Sequence, residues 1–209
     1  MAKKEQEHQE EELPLLRLAS ASPRRRQLLA LIGVPHVVTP ADIDESPRAS
    51  ETPAQYVRRL AAEKAAAIWA LHQDLPVLGA DTTVVIDGEI LGKPESLADA
   101  RRMLGRLSGR THQVHTGLAL HTAGGVSTGI STTQVSFVNL TAQQVDAYWA
   151  SGEPQGKAGA YAIQGLGAVF VSNIAGSYTG VVGLPLYETA EMLGRAGIAV
   201  WHMVNRGAE

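Results

Sequence analysis

Ser20-Ala21-Ser22-Pro23-Arg24-Arg25-Arg26 sets two hydroxyls and three guanidiniums at the start of a helical pattern, and Gly79-Ala80-Asp81-Thr82-Thr83 with Gly92-Lys93-Pro94 sets a carboxylate and an ammonium beside glycines. Backbone amides at a helix N-terminus, the positive end of its dipole, hydroxyls and arginines are the donors a polyphosphate needs. Three arginines in a first turn oppose that dipole, which an anion bound there would offset. The alternative is a capped helix whose arginines are solvated. Asp81 reads as the residue at which a strand ends, where α/β proteins commonly present catalytic groups; a turn aspartate bonding its own backbone is an equal reading. Glu45 could join Asp81 in holding a hard cation, although spacing alone does not establish it.

The elements that must position these groups follow from pattern. Leu15 to Ala19 reads as a buried strand, and Ser22 is expected to cap a helix from Pro23 to about Ile32, stopped by Gly33. Thr52-Pro53-Ala54-Gln55 is a capping box opening a helix to about His72, with an apolar stripe of Val57, Leu60, Ala61, Ile68 and Leu71. Lys64 lies four residues from both Leu60 and Ile68, on that stripe; a lysine is seldom buried unless paired, so an anionic partner is expected. Pro76 to Ala80 and Thr83 to Ile86 are strand-like, with Asp81 between them and the Asp87-Gly88 turn dipeptide after. Ser96 caps a helix to about Leu107, and Thr111 to Leu120 with Val126 to Val138 suits a long antiparallel hairpin. Thr141 with Gln144 is a second capping box. A glycine-rich stretch over 156–167 precedes a strand from Ala168 to Ile174 and a helix from Leu184 to Leu193. Helices mixed with strands and a hairpin predict an α/β fold with a mixed sheet.

Other matches carry no chemistry. Gly125-Val126-Ser127-Thr128-Gly129 fits a nucleophile elbow, yet it begins a hairpin strand rather than joining strand to helix. Gly152 and Gly156-Lys157-Ala158 are one residue short of P-loop spacing and lack its hydroxyl. His112 and His115, three apart on a strand, face opposite sides and make poor common metal ligands.

Bulk properties bound the rest. The 209 residues are 44% hydrophobic and 19% charged, which suits one domain over residues 13–209. The net charge of -3 resides entirely in residues 1–12, a polar segment expected to be a disordered extension. A neutral body lacks the broad basic face that nucleic acid requires. With no membrane span and no secretory signal in the sequence, a cytoplasmic protein is expected. No cysteine is present, so any metal falls to oxygen or imidazole ligands, and oxygen favours magnesium or manganese.

Taken in order, Leu18-Ala19-Ser20-Ala21-Ser22-Pro23-Arg24-Arg25, Ala80-Asp81-Thr82, Gly92-Lys93-Pro94, Thr116-Gly117, the run from Gly156 to Gly165 and Val182-Gly183-Leu184-Pro185-Leu186 resemble the Maf-like nucleoside triphosphate pyrophosphatases from Leu15 to about Leu193. The resemblance implies an elongated two-lobed Maf/ITPase-like α/β fold with a central cleft, usually a homodimer. It also implies hydrolysis of the bond between the α and β phosphates with a divalent metal, Mg2+ or Mn2+. On it, Asp81 is the general base, Ser20, Arg24, Arg25, Lys64 and Lys93 contact phosphate, and Glu45 with Asp81 contacts the metal. Arg24, Thr82 and Gln164 resemble the branch acting on dTTP and UTP rather than N7-methyl-GTP. The amide of Gln164 can donate and accept, which suits the O4 and N3-H edge of uracil or thymine. A nucleotide-binding regulator of cell division, a role associated with the family name, is the reading from another class.

Overall fold

The computed structural model describes residues 13–201; the expected disordered segment 1–12 lies outside the described residues. Seven strands form one mixed sheet in the order β2-β1-β3-β5-β6-β7, with β4 also on β3. β1 (Leu16–Leu18) runs parallel to β2 (His36–Val38) and to β3 (Val77–Ile86), whereas β4 (Glu89–Leu91), β5 (Thr111–Thr122), β6 (Gly125–Phe137) and β7 (Val171–Ala175) join antiparallel. The helices α1 (Pro23–Leu31), α2 (Pro53–Trp69), α3 (Leu97–Leu107), α4 (Ala142–Ala150), α5 (Tyr178–Val182) and α6 (Leu186–Arg195) complete the α/β architecture.

β3 organises the molecule. Alternation along it sends Gly79 and Asp81 to one face and Leu78, Ala80 and Thr82 to the other. The second face belongs to the main aliphatic core, with Leu18, Leu29, Leu104, Leu107 and Leu118. The first face carries α2, and small residues line that contact: Ala61 and Ala65 of the helix cluster with Val77 and Ala119 of the sheet and with Ala19 just after β1. Glycine is required there. A Cβ on Gly79 would lie 2.2 Å from the Ala61 carbonyl oxygen, and one on Gly117 2.2 Å from that of Val57. Helix backbone therefore rests on strand backbone with no side chain between them. Asp81 pairs in register with Gly117, so the carboxylate stands in a space its neighbour leaves open.

The expectation that Asp81 ends a strand is corrected. The ladder between β3 and β5 continues from Val77 to Val85 through Asp81, which sits in mid-strand. What stops is the partner on the other edge. β1 pairs with β3 only as far as Leu78 and β4 pairs with it only from Val84, so among the described residues the intervening edge has no strand neighbour and a cleft opens onto it.

Smaller differences have local causes. Leu71, expected on the buried stripe, is 74% exposed because α2 ends at Trp69 and the chain leaves helical register. Pro185 is an N-cap, delaying the last helix to Leu186. A 3-10 turn over Leu166–Phe170 delays β7 to Val171. Short elements β2 and α5 give too few residues for a periodic signal. His112 and His115 are both buried and bond to Tyr161 and Thr132 respectively.

Gly79→Ala should destabilise the fold by about 2–3 kcal/mol, the cost of overpacking a close contact. Gly105→Ala in α3, where an added Cβ meets nothing within 4 Å, should be neutral or stabilising by up to about 1 kcal/mol. Urea unfolding of the two variants checks the pair: equal midpoints would refute the close helix-sheet approach.

Candidate active site

The parallel strand β1 delivers its C-terminal end into Ser20 and then α1. Ser22 occupies the N-cap position with extended backbone (φ -68°, ψ 115°), but its side chain makes no capping hydrogen bond, contrary to expectation. The serines fold the loop on itself instead: Ser22 N-H donates to Ser20 Oγ at 3.2 Å. First-turn amides of α1 thus receive no cap from Ser22 and face the cleft end of the helix, as an anion site requires.

Arg25 is a strut. Its Nε donates to Gly183 O at 2.8 Å, Nη1 to Ser20 Oγ at 3.1 Å and Nη2 to Thr82 Oγ1 at 3.2 Å. Thr82 also bonds Thr116 Oγ1 across β5 at 3.0 Å. Arg25 thereby ties α1, β3 and the loop after α5 together. Arg24 reaches Val182 O through Nε alone, at 3.3 Å, and among the described residues its two terminal nitrogens have no recorded partner, which suits them to a ligand oxygen. Burial lowers the pKa of both groups from the ordinary arginine value, with Asp81 opposing the effect at Arg25; each remains a cation.

Lys64 meets the partner its position required. Its Nζ lies 2.7 Å from Asp81 Oδ1 and 2.6 Å from Glu45 Oε1. Lysine and Asp81 are both buried, at 7% and 8% exposure. Glu45 arrives from the loop after β2, where Tyr56 Oη donates to its carbonyl at 2.9 Å. The two carboxylates diverge. Burial pushes Asp81 above the usual carboxylate value despite the opposing charges of Lys64 and Arg25. Burial also pushes Glu45 upward, but the bond and charge of Lys64, with Lys93 and Arg25, outweigh it and leave Glu45 below its ordinary value. Depth separates them: the Glu45 side chain is 47% exposed and that of Asp81 11%. Asp81 thus gains proton affinity relative to a free aspartate, and among the described residues its Oδ2 accepts no protein hydrogen bond. Burial, followed by the two carboxylates, raises Tyr56 to about 12, keeping it a neutral hydroxyl.

The facing wall comes from the turn after β4 and from residues 155–164. Lys93 stands exposed at the rim, Lys157 is half-buried, and Gln164 is exposed along the cleft. Ser20, Arg24, Arg25, Glu45, Lys64, Asp81, Thr82, Lys93 and Gln164, all singled out in the sequence, line this one cleft of about 540 Å³. That volume is within the range of small-molecule sites. Lys157 and Tyr56 were missed. Burial and then the neighbouring charge of Arg24 lower the Lys157 pKa, so this lysine shares the cation field of the α1 end. Its signal was Gly156-Lys157-Ala158, which carries part of the family resemblance but was given no role in the site. Glu45 and Asp81 each give one carboxylate oxygen to the Lys64 ammonium, and no group of three or more histidine, aspartate or glutamate residues suited to a metal occurs among the described residues. No helix among them is long and apolar enough to cross a membrane.

The family model described as Maf-like protein matches residues 15–196. A protein of Pseudoalteromonas atlantica named dTTP/UTP pyrophosphatase is 51% identical over 189 residues, covering 88% of this chain and 98% of that protein. Proteins of the same name from Bordetella parapertussis and Hahella chejuensis are 54% and 51% identical, covering 90% and 88% of this chain and 95% and 93% of theirs.

Removing one member of a buried ion pair leaves the other charge uncompensated. Lys64→Met should cost about 3 kcal/mol of stability, and adding Asp81→Asn to it should restore a large part of that loss. Denaturant unfolding of the two single variants and the double variant checks this; strictly additive losses would exclude the coupling.

Proposed function

Because the chain belongs to the Maf-like protein family, we propose that it is a nucleoside triphosphate pyrophosphatase that hydrolyses dTTP and UTP to the monophosphate and pyrophosphate. The observation that carries this reading is the placement of Asp81 on the buried ammonium of Lys64, within one cleft whose other walls hold Arg24, Arg25, Lys93 and Lys157. Cations on both walls fit a triphosphate. A carboxylate of raised proton affinity beside them fits a general base.

In this reading the phosphates lie against the end of α1, with Ser20, Arg24, Lys93 and Lys157 as donors and Arg25 holding the cradle in shape. Asp81 Oδ2 accepts a proton from water as the water oxygen forms its bond to phosphorus and the α-β bridging oxygen leaves with pyrophosphate. Lys64 keeps Asp81 ionised and aimed; it also limits how strongly Asp81 attracts the proton. Gln164, across the cleft, faces the base. The oxygen pair of Glu45 and Asp81 fits Mg2+ or Mn2+, which commonly take one or two carboxylates with phosphate oxygens and water completing the shell. Such an ion would supply charge neutralisation on the phosphates. A homodimer belongs to the same reading and is checked by sedimentation.

A nucleotide panel with Mg2+ or Mn2+ tests the activity. Pyrophosphate release should be fastest with dTTP and UTP and slower with N7-methyl-GTP, and Asp81→Asn should lower kcat by about 10²- to 10⁴-fold. Release that is absent with both pyrimidines, or undiminished in Asp81→Asn, refutes the mechanism.

The pH profile tests the role of Lys64. The base works only when ionised, and burial raises the folded pKa of Asp81, so activity is lost as pH falls through that raised value. The acidic limb of kcat/KM should thus lie above the ordinary aspartate value of about 3.9. Lys64→Met removes the charge opposing burial and should move the limb further toward neutral. An unmoved limb would mean that a different group sets it.

A further inference from the structure

The sole exposed side chain of Ala162-Ile163-Gln164 is that of Gln164, and the turn presenting it is held from behind by two residues that do not line the cleft. Glu153 Oε2 accepts from Leu166 N-H at 2.8 Å, and Oε1 accepts from Gly167 N-H at 2.9 Å and from Tyr148 Oη at 2.7 Å. Tyr148 Oη in turn accepts from Ala162 N-H at 3.0 Å. Backbone amides on both sides of Gln164 are thereby fixed to one carboxylate and its phenol, and a turn bond from Gly165 N-H to Ala162 O at 3.2 Å closes the loop between them.

A side chain at either glycine of this turn would displace the clamp. A Cβ on Gly165 would fall 2.0 Å from Glu153 Oε2, and one on Gly167 2.6 Å from Tyr148 Oη. The clamp explains glycine at both positions. Tyr148 is buried and packs edge-on against Phe170 at 5.0 Å between ring centres, so the phenol cannot swing away. Burial pushes the Glu153 carboxyl up, but bonds from Tyr148, Gly167 and Leu166 hold it below its ordinary value, as a carboxylate with acceptors only.

We propose that Glu153 is a positioning residue for base recognition: with Tyr148 it fixes the turn that aims Gln164, and the phosphate half of the site feels it only as a charge near Lys157. This rests on the reading of the cleft as a pyrimidine nucleoside triphosphate site with Gln164 at the base. A carboxamide in place of the carboxylate must turn its NH2 toward one of the amide donors, so one of the three bonds is replaced by a repulsive contact.

The test compares Glu153→Gln, Gln164→Ala and the double variant, using KM for UTP and the inhibition constant of inorganic triphosphate, which has no base. Glu153→Gln should raise KM by about tenfold, the loss of one hydrogen bond to a charged group, and should not weaken triphosphate inhibition, since the charge it removes near Lys157 is negative. Gln164→Ala should do the same, and the double variant should be no worse than Gln164→Ala, because Glu153 acts through Gln164. An unchanged KM in Glu153→Gln, multiplying effects in the double variant, or triphosphate inhibition weakening in step with KM would each overturn the proposal. Should Glu153→Gln fail to fold, Tyr148→Phe is judged by the same readouts. A wild-type enzyme inactive on UTP, or a Gln164→Ala variant with unaltered KM, would bring down the underlying reading; an effect in Gln164→Ala without one in Glu153→Gln would bring down the clamp alone.

Discussion

The architecture depends on α2 resting directly on β3 and β5. Gly79 and Gly117 leave nothing between helix and strand backbones, and that closeness lets the Lys64 ammonium reach Asp81 at 2.7 Å. Two opposite charges are then buried together. Burying either alone would cost several kcal/mol, so their pairing and the close helix contact support each other. The small side chains of this interface bury little apolar area per residue, and the larger aliphatic core on the opposite face of the sheet must supply most of the hydrophobic stabilisation.

Around this pair the cleft follows from strand order. β1 leaves the edge of β3 after Leu78 and β4 returns at Val84, which opens the edge where Asp81 and Thr82 stand. Alternation directs these adjacent residues to opposite faces: Asp81 to Lys64 on α2, Thr82 to Arg25 on α1. Two consecutive residues of one strand therefore link the ion pair to the phosphate cradle. The division of labour is electrostatic. Asp81 is buried and gains proton affinity, while Glu45, half in solvent on the same ammonium, loses it.

Motif residues were legible in the sequence because their chemistry is local. Serines and arginines at a helix start and a lysine on an apolar stripe stand out by type and spacing, whereas Gln164 was marked only by the family resemblance. Capping boxes at Thr52 and Thr141 form as read, each closing on the glutamine three residues later. Ser22 did not cap, since its loop is folded by Ser20, an outcome composition does not encode. Lys157 carries no such local mark, because its half-burial and its place near Arg24 come only from the fold.

The sequence by itself determined the α/β class, the mixed sheet, the starts of α1 to α4 and which residue types carry charge toward a ligand, because periodicity and capping depend on neighbours within a few positions. It also marked Lys64 as needing an anion. Which anion was a tertiary matter: Asp81 is 17 residues away and Glu45 is 19 away on the other side, and only the register of β3 against β5 with α2 laid across both brings them to one nitrogen. The place of Asp81 within its strand was likewise decided by partners on either edge. Its raised pKa has no sequence signal at all, since it comes from the water that packing excludes.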